Sequence, residues 1–106
     1  MARRRDNAEW SDPGLLVLGS LAGGPRHGYS MTADIAANAG IELGPGTLYG
    51  ALARLEGQGL IVALPADGAR RPYAITAAGT QTLRARLAAL DKFSKVAGAR
   101  LRAATA

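Results

Sequence analysis

The sequence contains no cysteine and a single histidine, His27. Disulfides and thiolate metal sites are thereby excluded, and one imidazole cannot assemble a histidine-based zinc site. Aromatic residues are few: Trp10, Tyr29, Tyr49, Tyr73 and Phe93. A core must therefore be built from Leu, Ile, Val and Ala, which suits a helix-rich fold. No apolar run approaches the ~20 residues that span a bilayer, so no membrane-spanning segment is expected. Met1-Ala2-Arg3-Arg4-Arg5 is followed by Asp6 and Asn7 instead of an apolar segment. No secretory signal is read there, and a cytoplasmic location is expected. Catalytic constellations are also missing. His27 has no acid and nucleophile at triad-like spacing, and Asp34, Glu42 and Glu56 are scattered. Gly44-Pro45-Gly46-Thr47 does not carry a phosphate-loop signature. The expectation is a protein that is no enzyme and holds no cofactor or metal.

What is present is a chain of 106 residues, 48% hydrophobic, with a formal net charge of +5. That length suits one domain with one modest core. The positive charge points to an acidic partner, nucleic acid first and an anionic membrane second. It is equally compatible with a merely soluble basic protein, so the placement of the arginines matters more than their number.

Residues 1–10 form a polar, basic arm ending in Trp10. Asp12-Pro13 reads as a helix start, with Asp12 capping and Pro13 in the first turn, where its missing N–H costs nothing. The run Leu15, Leu16, Val17, Leu18, Leu21, Ala22 is apolar nearly all round, as in a helix buried on most sides. Gly23-Gly24-Pro25 ends it. A second helix is predicted over 28–39, with Met31, Ile35 and Ala39 on one face and a stop at Asn38 to Gly40. Gly44-Pro45 opens a third helix reaching about Gln58, and Leu48, Ala51, Leu52 and Leu55 share its inner face. Gly59 is its stop. Leu60 to Leu64 and Tyr73 to Ile75 read as two short strands around the turn-rich, basic stretch 65–71, making a β-hairpin.

Thr76 is placed to cap a last helix. Continuous from 77 to 104, it would be about 42 Å long, beyond what any neighbour in so small a domain could cover. Leu83, Leu87, Leu90, Ser94, Ala97 and Leu101 form a heptad-like seam along it, flanked by Phe93 and Val96. The seam predicts a homodimer interface through Leu83, Leu87, Leu90, Phe93, Val96, Ala97 and Leu101, with the first helix and Trp10 as further contributors.

Helix, helix, helix, hairpin, long helix is the order of a winged helix-turn-helix with an appended dimerisation helix. The expected fold class is thus mainly α with a β-hairpin. Its parts are a basic arm (1–10), a winged helix-turn-helix DNA-binding domain (11–76) and a C-terminal dimerisation helix (77–106). In such folds the third helix enters the major groove and the wing reaches backbone or minor groove. The residues also carry a specific resemblance. "GPRHGY" at 24–29, "GPGTLYGALARLEGQGLI" at 44–61 and "RRPYAIT" at 70–76 resemble, in that order and separation, the PadR family of transcriptional regulators. The resemblance covers about residues 14 to 90. It differs in Gly50, where members often have Pro, in Gly44, where a Ser-type cap is usual, and in a shorter hairpin.

With Leu48 and Leu52 turned inward, Gly46, Gly50, Ala53 and Gly57 form a stripe almost without side chains on the opposite side of the third helix. Either the helix backbone lies close to DNA there, or the stripe packs against another helix. On the first reading, Pro45 and Gly46 begin a helix terminus suited to phosphate, and Thr47 and Tyr49 flank the stripe. Arg54 reaches a base edge or phosphate, or pairs with Glu56 or another surface acid. Arg70 and Arg71 near the hairpin tip are candidates for salt-dependent phosphate or minor-groove contact. The resemblance places Tyr29 at the DNA backbone, with Ser30 and Thr32 nearby; the alternative is a tyrosine packed on the first helix. His27 reads as a cap or packing residue. Arg3, Arg4 and Arg5 are either a minor-groove arm or a solubilising tail. The resemblance further implies that some members bind aromatic or drug-like effectors near the dimer interface.

These readings lead to a dimeric, sequence-specific repressor on a pseudo-palindromic double-stranded DNA operator, acting at the nucleoid and released by a small-molecule effector. The competing expectation is a winged-helix protein–protein interaction module, whose small-residue face packs on protein.

Overall fold

The computed structural model describes residues 12–105. The N-terminal arm, with Arg3, Arg4, Arg5 and Trp10, lies outside the described residues. Four helices and three short strands follow in order: α1 (Pro13–Leu21), β1 (Arg26–His27), α2 (Gly28–Ala39), α3 (Pro45–Gly57), β2 (Ile61–Ala63), β3 (Pro72–Ile75) and α4 (Ala77–Thr105).

The helix starts follow from local chemistry. The Asp12 carboxylate accepts the Gly14 N–H at 2.9 Å, and Pro13 occupies the first turn. His27 caps α2 through its ring, and Thr76 Oγ1 accepts the Gly79 N–H at 3.0 Å to open α4. The end of α3 is a paired-bond stop: Leu60 N–H donates to Leu55 O at 2.9 Å and Gly59 N–H to Glu56 O at 3.0 Å. That geometry needs a left-handed residue after the cap, and Gly59 supplies it with φ of 75°.

The core is aliphatic, as the shortage of aromatics requires. Val17, Leu18 and Leu21 of α1, Met31 and Ile35 of α2, and Leu48, Ala51, Leu52 and Leu55 of α3 are buried, together with Ile61 and Leu83. Each large member contributes about 1.5–3 kcal/mol of transfer free energy, which sets which face of α3 is inward. The one buried polar residue among those described, Ser20, donates to Asp34 Oδ2 at 2.7 Å. Asp34 also takes Asn38 Nδ2 at 2.9 Å and faces Arg26 Nη2 at 3.7 Å.

The sheet differs from the expected two-stranded hairpin. It is three-stranded and antiparallel in the order β1-β3-β2. Arg26 pairs with Tyr73 and His27 with Pro72, while Ile61, Val62 and Ala63 pair with Ile75, Ala74 and Tyr73. A two-residue strand is too short to show a period of two, so periodicity could not announce β1. Its pairing fastens the wing to the start of α2. At the hairpin tip, Asp67 and Arg70 exchange backbone hydrogen bonds around Gly68-Ala69. Gly68 takes φ of 64° there, the place in a two-residue loop where glycine is preferred.

Among the described residues, only the first part of α4 is anchored to the body. Gly79 and Leu83 are buried, and Arg86 Nη2 meets Asp12 Oδ2 at 2.5 Å. Beyond Arg86 the helix projects, and the molecule extends 58 Å along its longest axis. The mainly helical winged fold with a long C-terminal helix is therefore what the chain adopts. No helix among the described residues is long and apolar enough to cross a membrane.

Candidate nucleic-acid interface

The inner leucines of α3 orient its other side outward. Pro45, Gly46, Thr47 and Arg54 are exposed, Tyr49 is 55% exposed, and Gly50 is half-buried. Among the described residues, no other helix lies on the small-residue stripe. A β-carbon built on Gly46 or Gly57 meets nothing within 4 Å, and one on Gly50 meets only Arg54 Nη1 at 3.8 Å. Arg54 thus folds back along its own helix and forms no ion pair among the described residues, with Glu56 or otherwise.

Tyr29, at the start of α2, is 78% exposed and does not pack on α1. Thr32 returns its hydroxyl to the Gly28 carbonyl at 3.1 Å, which commits its proton within α2. Ser30 donates its backbone N–H to His27 Nδ1 at 3.3 Å. Its side chain is half-buried.

Two clefts join these elements. One, of 320 Å³, lies between α2 and α3 and is lined by Tyr29, Thr32, Pro45 and Tyr49 among others. The second, of 210 Å³, lies where α2, α3 and the wing meet, between His27, Tyr29, Tyr49, Arg70, Arg71 and Tyr73. Tyr29 and Tyr49 border both. The fold therefore brings Tyr29 and Thr32 of α2, Pro45 and Tyr49 of α3, and Arg70 and Arg71 of the wing around two adjoining clefts, while Ser30, Gly46, Thr47 and Gly50 line neither. Arg54 borders neither cleft. The two wing arginines differ: Arg71 Nη1 donates to Leu64 O at 2.8 Å, bracing the hairpin, whereas Arg70 Nη1 faces His27 Nε2 at 3.5 Å.

Sequence reasoning gave His27 a cap or packing role only. The cap is present, but the second ring nitrogen also lies at the wing. Nothing local signalled this, because it depends on β1 pairing with β3. The tight apposition of Gly28 and Tyr49 was likewise unreadable from spacing. A β-carbon on Gly28 would stand 2.6 Å from the Tyr49 hydroxyl.

The long helix leaves most of its predicted seam uncovered. Leu87, Leu90, Phe93, Val96 and Leu101 are exposed, Phe93 at 69% and Leu101 at 68%, while Ala97 is half-buried. Leu83 requires correction. At 7% exposure it belongs to the domain's own core and anchors α4 there, because the first turns of the helix lie against the body. An apolar cleft of 320 Å³ lies among α1, α2 and α4, bordered by Leu15, Leu16, Ile35, Leu87 and Leu90 with Asp34 at its edge. No group of three or more potential metal-ligating side chains occurs among the described residues.

Residues 17–85 match the model of the transcriptional regulator PadR-like family. The chain belongs to the PadR-like family. The resemblance read from "HGY" and "PGTLY" lies within this match. A solved PadR-family regulator from Eggerthella lenta superposes with a TM-score of 0.73 at 30% identity, covering 94% of this chain and 86% of that one. A transcriptional regulator from Clostridium thermocellum gives 0.74 at 26% identity, covering 85% and 90%. PadR of Bacillus subtilis, solved in complex with operator DNA, gives 0.63 at 25% identity, covering 70% of this chain and 45% of that one. In sequence, 73 residues are 49% identical to an uncharacterised 37.1 kDa protein of a Streptomyces fradiae transposon, and the match spans 69% of this chain but 21% of that protein. These PadR-like relatives are transcriptional regulators where their role is stated, and the winged fold is common ground.

Proposed function

We propose that this PadR-like chain is a homodimeric, sequence-specific double-stranded DNA-binding regulator that represses transcription and is released by a small-molecule effector. One observation carries the reading. The stripe formed by Gly46, Gly50, Ala53 and Gly57 on the outer side of α3 is open and nearly free of side chains, while Tyr29, Tyr49 and Arg70 converge beside it from three separate elements. A helix so shaped can bring its backbone close to a duplex, and hydroxyl and guanidinium groups at its margin set register on phosphates. The net charge of +5 supports the same partner. The operator complex of the Bacillus subtilis relative supports it further.

On this reading Pro45, Gly46, Thr47, Tyr49, Gly50 and Arg54 of α3 approach the groove. Tyr29, Ser30 and Thr32 of α2 lie at the backbone, with Arg70 and Arg71 on the wing. Residues 11–76 serve as the DNA-binding unit and 77–106 as the dimerisation helix. The exposed Leu87, Leu90, Phe93, Val96 and Leu101 pair with those of a second copy, with Ala97 in the same seam and Leu83 holding the helix to its own domain. The dimer straddles a pseudo-palindrome, one α3 per major groove, and acts at the nucleoid. An aromatic or drug-like effector fits the apolar cleft at the root of α4, where it would alter the spacing of the two heads.

Selection of bound duplexes from a random pool, followed by anisotropy titration, tests the reading. The expected result is enrichment of an inverted repeat, bound with steep salt dependence and released by some aromatic acids or cationic drugs. Equal and feeble binding to selected and random duplexes defeats it. If Arg70→Ala with Arg71→Ala leaves function intact while a bulky residue at Gly50 abolishes capture of a protein partner, the chain is instead a protein-interaction module.

A further inference from the structure

His27 Nδ1 accepts the backbone N–H of Ser30 at 3.3 Å, as the N-cap of α2. A ring nitrogen that accepts carries no proton, so the tautomer that fits this cap is the one protonated on Nε2. That Nε2 faces Arg70 Nη1 at 3.5 Å. Guanidinium nitrogens donate and never accept. In that tautomer two N–H donors face each other across the seam between α2 and the wing. The Tyr49 hydroxyl, seated against Gly28, borders the same 210 Å³ cleft, and no Asp or Glu lines it. An anionic acceptor, whose oxygens take several hydrogen bonds at once, matches donors arranged in this way.

We propose that His27 Nε2–H and the Arg70 guanidinium close together on a single phosphate of the duplex backbone, so that one phosphodiester locks the wing to the start of α2. This rests on the DNA-binding reading above. A phosphodiester suits the pair because its oxygens accept from both donors, and guanidinium–phosphate bonds are charge-assisted. It also suits the location, since Tyr29 and Tyr49 connect this cleft to the one bordering α3. The cap on α2 thus has a second purpose. By holding Nδ1 as an acceptor, it keeps Nε2 a donor aimed at the ligand.

Two variants isolate the clamp without threatening the fold. His27→Asn keeps a side-chain oxygen able to cap α2 and removes the Nε2–H. Arg70→Gln alters an exposed hairpin residue. Each is titrated, beside wild type, against the tightest duplex selected from a random pool and against the same duplex carrying one neutral methylphosphonate at each backbone position in turn. Wild type is expected to lose about tenfold in affinity at one position per half-site. Each variant is expected to lose up to about tenfold on the unmodified duplex and to be less sensitive than wild type to the methylphosphonate at that same position, because only one of the two donors remains. Arg70→Gln should also lower the slope of log affinity against log salt by about 0.9 per chain, and His27→Asn should leave it unchanged. Variants that bind like wild type, or that retain full sensitivity at every phosphate, overturn the clamp while leaving DNA binding intact. Failure of wild type to select any duplex overturns the DNA-binding reading and the clamp with it.

Discussion

The Tyr49 hydroxyl lies 2.6 Å from the point where a β-carbon on Gly28 would stand, with its ring Cζ at 3.2 Å. The first residue of α2 thus determines where the single aromatic side chain of α3 rests. Gly28→Ala is expected to push the phenol out of the cleft. Because Tyr49 is 55% exposed and the phenol is the far end of a mobile side chain, the fold can absorb the change. Loss of glycine also removes about 0.4–1 kcal/mol of unfolded-state entropy. Thermal stability should be unchanged or slightly raised, while affinity for a selected duplex falls severalfold. A variant that binds as tightly as wild type would show that the phenol's position is immaterial.

Gly79 presents the opposite case. A β-carbon there would run into the Leu60 carbonyl and stand 2.8 Å from Ile75 Cγ1, where backbone and strand leave no room. Gly79→Ala is expected to cost about 1–3 kcal/mol despite the better helix propensity of alanine. Gly19 on α1 is exposed, with nothing within 4 Å of the same position. Gly19→Ala should stabilise by about 0.5–1 kcal/mol. Urea denaturation midpoints should move in opposite directions for one and the same chemical change.

Asp12 links the start of α1 to α4. Its hydrogen bond from Arg86 holds the carboxyl below the usual carboxylate range, partial burial opposes this, and the Gly14 N–H adds to the lowering. Since the folded group releases its proton more readily than the unfolded one, the contribution is present above the unfolded value. It is lost as pH falls through the folded value. Asp12→Asn keeps a capping oxygen but gives up the ion pair, so it should melt below wild type at neutral pH. The difference should close at pH below about 4. A gap that persists at low pH would assign the effect to the cap alone.

The exposed apolar side chains of α4 predict association. Phe93→Glu combined with Leu101→Glu should convert a dimer to a monomer in sedimentation equilibrium, with helicity of the winged domain retained. Both residues are more than two-thirds exposed, so the charges cost little inside one chain. Wild type sedimenting as a monomer at high micromolar concentration would remove the basis for paired α4 helices.

Much of the architecture was legible because it is encoded locally. Asp12-Pro13, Gly44-Pro45, Gly59 and Thr76 mark helix ends through groups within a few residues of one another. The inner faces of α1, α2 and α3 follow from the 3.6-residue period of their leucines. The candidate interface was readable on α3, where the stripe is itself periodic. It was less readable elsewhere: Arg71 looked equivalent to Arg70 until the Leu64 carbonyl claimed one of its donors, and Leu83 looked like the start of an outward seam.

The amino-acid order by itself determined the sequence of elements, their capping and the face each helix buries, because those depend on neighbours at separations of one to four. Tertiary structure alone decided that Arg26-His27 would become a third strand beside Tyr73. It also seated Tyr49 on Gly28 and aimed His27 at Arg70. These relationships join residues far apart in the chain, and they exist only once the aliphatic core has closed and brought wing, α2 and α3 together.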